Sequence, residues 1–431
     1  MPETSQFILN IVSANCSTTA AISGTGAIYL INDLANLFEH ETTPNGNVVI
    51  NALQTVTQEF LDNLSLLVDK YKDSNKLIFK FKDFFRKLQL NEAFYIIPGE
   101  QPKELLDRLT DSLIVQNDPD PEQALRDLLE IKDQIKNRYN IYSYDHRRTV
   151  YIGEPDKNRR ICRYCQQSIP ATTFRQKAHT ISESLGNKTI FTNTECDQCN
   201  NRYGSGIEKE FAEYLELFRA LYAIRGKNGV ISPHDGNYTV AHPAEKHITI
   251  GVTLSDEEIE TQDKKLHESP DVIELPITTG HSFIPQNIYK ALCKYILGIL
   301  PDSTMAEFRS TVEWIDGSLS FAALPRIAFM FPTGFRLEQP RLTALVKHCT
   351  DKSLPKCLGI VEVADLAFAF IVPVSGDTVD YTDSNLMLHL ADSIPPFNFT
   401  QDWQHLDFSS TSPTELRHKL RFVTTPKPYP R

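Results

Sequence analysis

A chain of 431 residues with 41 % hydrophobic and 23 % charged residues has the composition of a folded globular protein, and its length suggests two or three domains rather than one core. The net charge of −11 excludes a protein that binds nucleic acid with its whole surface, and no run approaches the roughly 20 apolar residues needed to span a bilayer. The apolar patch from Phe7 to Val12 has no cationic segment ahead of it, so no secretory leader is expected and a cytoplasmic address without membrane contact is the reading.

From Ala27 to Tyr142 the apolar residues fall mostly at helical spacing. Leu53, Val56, Phe60, Leu64 and Leu67 form one such stripe. Asp118 and Asp120 ahead of Pro121 read as a helix start, and Ala124, Leu125, Leu128, Leu129, Ile131 and Ile135 then line one face. The pattern predicts a mainly helical N-terminal domain over residues 1–145.

The central stretch, residues 146–230, differs in charge and in motif. It holds 14 Lys or Arg against 9 Asp or Glu, a net of +5, so the rest of the chain carries −16. Here alone a polyanion would be welcome. The same stretch contains Cys162-x-x-Cys165, thirty residues, then Cys196-x-x-Cys199. Two such turns can supply the four thiolates of a closed tetrahedral site, so Cys162, Cys165, Cys196 and Cys199 are expected to hold a structural Zn2+. Two redox dithiols are the alternative. So short a segment cannot bury a core of its own, and metal affinity is expected to substitute for burial.

Between the pairs runs Ala178-His179-Thr180-Ile181-Ser182-Glu183, then Leu185-Gly186-Asn187. Asn200 and Asn201 follow the second pair. This succession resembles the HNH endonucleases, in the branch whose ββα-metal motif is clamped by four cysteines. The likeness covers about 45 residues, and the helix expected from Gly206 to Ile224 is similar to the family's continuation. It implies a treble-clef-like zinc-stapled module that hydrolyses phosphodiester bonds, with His179 as general base. It also implies an Asn that orients this His, for which Asn193 is the first choice and Asn187 the rival. Asn200 maps onto the third motif position as a ligand of a catalytic Mg2+ or Mn2+, unless it is a helix N-cap. The family often has an acidic residue before the catalytic His, where this chain has Ala178; Glu183 is nominated as the carboxylate ligand instead, with Glu208 second. Arg147, Arg148, Lys157, Arg159, Arg160, Arg163, Arg175, Lys177, Lys188 and Arg202 are expected to grip phosphates rather than read bases, with DNA as the partner.

After Val230 the pattern becomes mixed. Tyr238–Leu254 and Ala322–Phe335 read as β-rich, Pro285–Leu300 and Met305–Ile315 as helices, and Gly359–Val374 as a long strand or hairpin. Within the first of these helices, Tyr289 to Lys294 resembles a companion segment of some bacterial HNH proteins. Ser412–Arg431 reads as a helix and a Pro-rich tail needing a partner. Residues 231–431 are thus an α+β C-terminal domain, and the chain as a whole is α+β. Cys16, Cys293, Cys349 and Cys357 read as buried, reduced thiols. The flanking domains would serve a protein regulator or a second copy of the chain, in a setting such as bacterial antiviral defence. A zinc ribbon that only binds nucleic acid or protein is the competing reading; it would not need His179, Asn193 and Asn200 together.

Overall fold

Contacts divide the computed structural model into two units, Met1–Asp133 and Gln134–Arg431. It describes residues 7–423 except 15–16, 24–26, 43–47, 87, 117, 145–148, 234–235, 245–246, 262–271, 332–336, 338, 384, 388–389 and 391–402. Cys16, Arg147, Arg148 and the Pro-rich end beyond Val423 therefore lie outside the described residues. Among the described residues no helix is long and apolar enough to cross a membrane.

The first unit runs β1 (Phe7–Ser13), β2 (Ser17–Ile22), α1 (Ala27–Leu37), β3 (His40–Thr42), β4 (Val48–Ile50), β5 (Leu53–Thr55), α2 (Gln58–Tyr71), α3 (Ile78–Phe85), β6 (Ala93–Pro98), α4 (Lys103–Ile114) and most of α5 (Pro121–Lys136), whose last three residues fall past the unit's boundary. An antiparallel sheet in the order β2-β1-β6-β5 packs with α1, α2 and α3 around Phe60, Phe81, Phe85 and Phe94. The expectation of a mainly helical N-terminal domain is thereby corrected. Strands β1 and β6 find each other across some 80 residues of chain, a pairing that no local periodicity reveals. The Leu53 stripe is split for the same reason. Leu53 sits exposed on β5, and α2 begins only at Gln58, where Thr57 Oγ1 accepts from Phe60 N at 3.1 Å as an N-cap. Pro121 does open α5, with Asp120 accepting from Gln123 N.

The second unit begins with β7 (Tyr139–Tyr144), β8 (Val150–Ile152), β9 (Ala178–His179), β10 (Ile190–Thr192), α6 (Asp197–Ser205), α7 (Ile207–Tyr214), α8 (Glu216–Leu221), β11 (Arg225–Gly226) and β12 (Gly229–Val230). It continues with β13 (Tyr238–Ala244), β14 (His247–Val252), β15 (Val272–Phe283), α9 (Pro285–Ile299), α10 (Arg309–Ile315), β16 (Ile327–Met330), β17 (Arg341–Lys347), β18 (Cys357–Val363), β19 (Leu366–Ile371), β20 (Gln404–Leu406) and β21 (Thr414–Val423). A six-stranded antiparallel sheet, order β20-β16-β19-β18-β17-β7, backs α9, and β18 and β19 form a hairpin over the stretch read as a long strand or a hairpin. The helix expected after Ser412 is instead β21, paired with β15 over most of its length. Its alternation Leu416, His418, Leu420 and Phe422 is the strand period that a helical reading passed over.

Helix α9 is buried almost all round, which explains its apolar sequence. Ile288, Leu292, Tyr295, Ile296 and Ile299 share one core with Tyr164, Phe174, Ile181, Leu185 and Ile190 of the cysteine-bearing segment and with Val361, Phe368 and Phe370 of the large sheet. At about 1.5–3 kcal/mol per buried apolar side chain, this shared core supplies the burial that so short a segment lacks. A metal would not be its sole support. At Gly298 α9 packs closely, since a Cβ there would meet Thr180 Cγ2 at 2.6 Å.

Candidate active site

Strands β9 and β10 and helix α6 form a ββα unit, with β8 added in parallel to β10. Cys162 and Cys165 precede it on a tight turn, and Cys196 and Cys199 lie at the start of α6. The four sulfurs all lie within 4.8 Å of one another, with Cys165 Sγ and Cys196 Sγ 3.7 Å apart. Hydrogen bonding from Cys199 draws the Cys162 thiol down to about 5, while burial and its thiol neighbours push Cys165 up to about 11. One thiolate is thus favoured at the expense of the others, an imbalance that a soft dication would remove. The donor set fits zinc. Of the lone thiols, Cys293 and Cys357 are buried as expected, but Cys349 is only half-buried.

The clamp is braced from outside. Arg163, inside the first cysteine turn, is buried and donates to the carbonyls of Leu297, Gly298 and Leu300 at 2.8, 2.9 and 3.1 Å, to Thr194 Oγ1, and to Asp302 Oδ1 at 2.8 Å. A guanidinium on the last carbonyls of α9 is favourably placed against the helix dipole. Arg309 in turn donates to the carbonyls of Arg163 and Tyr164, both at 3.0 Å. Lys294, also on α9 and wholly buried, lies 3.1 Å from Glu195 Oε2 and 2.5 Å from Glu208 Oε1, and reaches Thr180 O at 3.5 Å. Burial opposes its charge, but the two carboxylates outweigh burial and raise its pKa; burial raises Glu195 to about 7. Arg163 and Arg160, expected on phosphates, are therefore structural, Arg160 donating to the carbonyls of Glu154 and Pro155. Glu208 is likewise withdrawn from the metal ligands, being consumed by Lys294. Arg202 pairs with Asp316 at 2.8 Å. Lys157, Arg175, Lys177 and Lys188 remain exposed.

His179 ends β9. Its ring packs edge-on against Phe191, with centroids 4.7 Å apart, and its Nε2 lies 3.8 Å from Glu183 Oε2, whose backbone opens a short 3₁₀ turn capped by Ser182. Nδ1 is buried without a well-formed hydrogen bond. Burial lowers the His179 pKa, Glu183 counteracts this, and the backbone of Asn187 also favours the protonated ring. Asn187 is itself wholly buried. Its Nδ2 donates to Ile181 O and Ile190 O at 2.9 and 2.8 Å, and its Oδ1 accepts from Thr189 N and Ile190 N. Those four bonds fix the loop from β9 to β10, which Gly186, at φ +92°, turns in the left-handed region.

Asn193, the first choice for orienting His179, stands beyond β10, and its Nδ2 reaches only Gly153 O at 3.5 Å. The structure brings Asn187, not Asn193, to the His179 loop. Asn200 lies inside α6 rather than at its N-cap, which is Cys196. Its Nδ2 donates to Gln176 Oε1 at 2.8 Å, tying α6 to the segment that leads into His179. Asp197, overlooked in the sequence, accepts from Thr173 Oγ1, Arg175 N and Gln176 N, and these bonds hold its pKa low against burial. Its position as the first residue of α6, where a carboxylate meets free backbone N–H groups, was the available signal.

Residues 162–216 match the family model described as HNH endonuclease. This segment is an HNH module. The match takes in both cysteine pairs, the His179 strand, the Asn187 loop and helices α6 and α7. No curated protein and no solved structure matches the chain. The HNH module implies a nucleic acid substrate and a divalent metal.

Proposed function

We propose that this chain is a metal-dependent HNH endonuclease that hydrolyses phosphodiester bonds in DNA, with His179 as the general base. The observation that carries the reading is His179 itself. It stands at the end of the first strand of a ββα unit, 3.8 Å from a carboxylate, ahead of a loop pinned by a fully bonded asparagine. With its pKa lowered by burial, the imidazole is neutral near pH 7 and can accept a proton.

In the proposed reaction a water oxygen attacks phosphorus, its proton passes to His179 Nε2, and the P–O bond to the leaving strand breaks. Asn187 holds the strand-to-strand loop and so fixes where the imidazole points. Glu183 stabilises the imidazolium as it forms. Glu183 and Asn200 offer hard oxygen donors of the kind that Mg2+ or Mn2+ prefers, and Asn200, its amide nitrogen committed to Gln176, has its carbonyl oxygen to give. Bound there, the cation would stabilise negative charge on the phosphate and the leaving oxygen. Cys162, Cys165, Cys196 and Cys199 would hold zinc as a brace only.

The test is plasmid cleavage by purified protein with Mg2+ or Mn2+, beside His179→Ala, with zinc content measured in both. Cutting that requires the cation and vanishes in the variant at unchanged zinc supports the assignment. Equal residual cutting by the two proteins removes His179 from the mechanism, and a wild type that never cuts makes the module a binding brace. Because the neutral base is the active form, the rate should rise with pH through an apparent pKa below 6.5 and level off at neutrality.

A further inference from the structure

The strand register of the module aligns three rings on one face. Phe191 of β10 stands directly opposite His179 on one side and Tyr151 on the other. With neighbouring strands about 4.8 Å apart, Tyr151 lies about two strand spacings from the imidazole. Phe191 is buried and serves as a floor, while Tyr151 stacks on it with centroids 5.3 Å apart and planes 22° apart. Yet Tyr151 is 53 % exposed. Lys177, immediately before β9, holds its Nζ 3.5 Å from the Phe191 centroid and 5.2 Å from that of Tyr151. Among the described residues no carboxylate forms an ion pair with it.

A half-exposed tyrosine stacked on Phe191, beside a lysine that no carboxylate among the described residues pairs with, matches the two needs of a nucleotide, a π-face for its base and a charge for its phosphate. We propose that Tyr151 and Lys177 form a subsite for an unpaired nucleobase and its phosphate next to the scissile bond, so that the enzyme prefers single-stranded or locally opened DNA. Bases inside a duplex are stacked on both faces and cannot offer one to Tyr151. The subsite rests on the nuclease reading of His179. Lys177 would leave the Phe191 ring for the phosphate, and Tyr151 would keep its place, being already held by Phe191.

The experiment uses the full chain carrying His179→Ala, which should bind without cutting, and a 2-aminopurine oligonucleotide offered as single-stranded DNA, matched duplex and single-stranded RNA. Adding Tyr151→Ala should weaken single-strand binding about 5- to 100-fold and abolish the stacking quench of 2-aminopurine, whereas Tyr151→Phe retains both. Duplex binding should change less than about twofold. Lys177→Gln should lower the slope of log affinity against log salt by about one. Single-strand binding unchanged by Tyr151→Ala, or a loss as large on duplex, overturns the subsite and leaves the nuclease reading intact. Binding by no nucleic acid overturns both. If only RNA binds, and Tyr151 is required, the subsite stands and DNA is replaced as the substrate. Zinc content and melting temperature of each variant control for folding.

Discussion

In the N-terminal unit, Phe60, Phe85 and Phe94 close an apolar core with ring centroids 4.7 to 5.7 Å apart. Around His179 the buried groups include instead Arg163, Asn187, Glu195 and Lys294, each held by hydrogen bonds or ion pairs. The first arrangement tolerates any set of apolar residues that fills the volume. The second fails if one partner is removed, because a buried charge or donor is then stranded. The proposed role of His179 as a base would call for the second kind of construction, and the HNH module draws its support from the four-cysteine cluster and a shared helix, α9.

The largest effect should come from stripping the metal. Structural zinc is worth about 10–16 kcal/mol in small modules, so a strong chelator, or Cys199→Ser, should unfold the second unit first while the N-terminal transition stays in place. Calorimetry with zinc assayed alongside reads this directly, and two transitions that fall together would remove the contrast. Next come Lys294→Met and Phe94→Ala, each expected to cost about 3–5 kcal/mol, but for different reasons. The first should be largely rescued by adding Glu195→Gln and Glu208→Gln, which remove the stranded charges. No such polar rescue exists for Phe94→Ala, whose defect is a cavity. Chemical denaturation of the four proteins separates the cases.

The same contrast governs what could be read from the sequence. The HNH likeness and the four-cysteine cluster were legible because such a motif demands particular residue types at short spacings: Cys162 to Cys199, His179 and Asn200 all lie within 39 residues. Lys294 and Arg163 were not. Lys294 is separated from Glu195 by 99 positions, and a lysine on an apolar helix, or an arginine in a basic stretch, looks like a surface charge until its carboxylates or carbonyls are found. The N-terminal sheet was missed for a related reason, since the pairing of β1 with β6 is non-local. Strand β21 was missed although its period was visible.

A weaker test lies in the pH dependence of the second unit. His418 of β21 packs against Phe218 with its Nε2 buried and unpartnered, and burial lowers its pKa to about 4. The unfolded chain protonates this group near 6.5, so below that pH the unfolded state binds more protons and stability falls, until the folded form protonates near 4. The full loss is about 3 kcal/mol. His418→Phe should flatten that part of the pH–stability curve, and an unchanged slope would mean that the group is hydrated in solution.

The smallest expected difference is also the sharpest for the site, because it sets Asn187 against Asn193. Asn187→Ala deletes four hydrogen bonds in a fully buried loop and leaves backbone groups of Thr189, Ile190 and Ile181 unpaired, which should cost about 2–3 kcal/mol. Asn193→Ala loses one long contact to Gly153 and should fall within about 0.5 kcal/mol of the parent. If Asn187 positions the imidazole, its variant should also lower kcat well below what its lost stability explains at temperatures where it stays folded. Its KM for DNA should hold, since Asn187 has no surface to present to a substrate. Should Asn193→Ala prove the more damaging in kcat, the orienting role returns to that residue and the loop around Asn187 is scaffold alone.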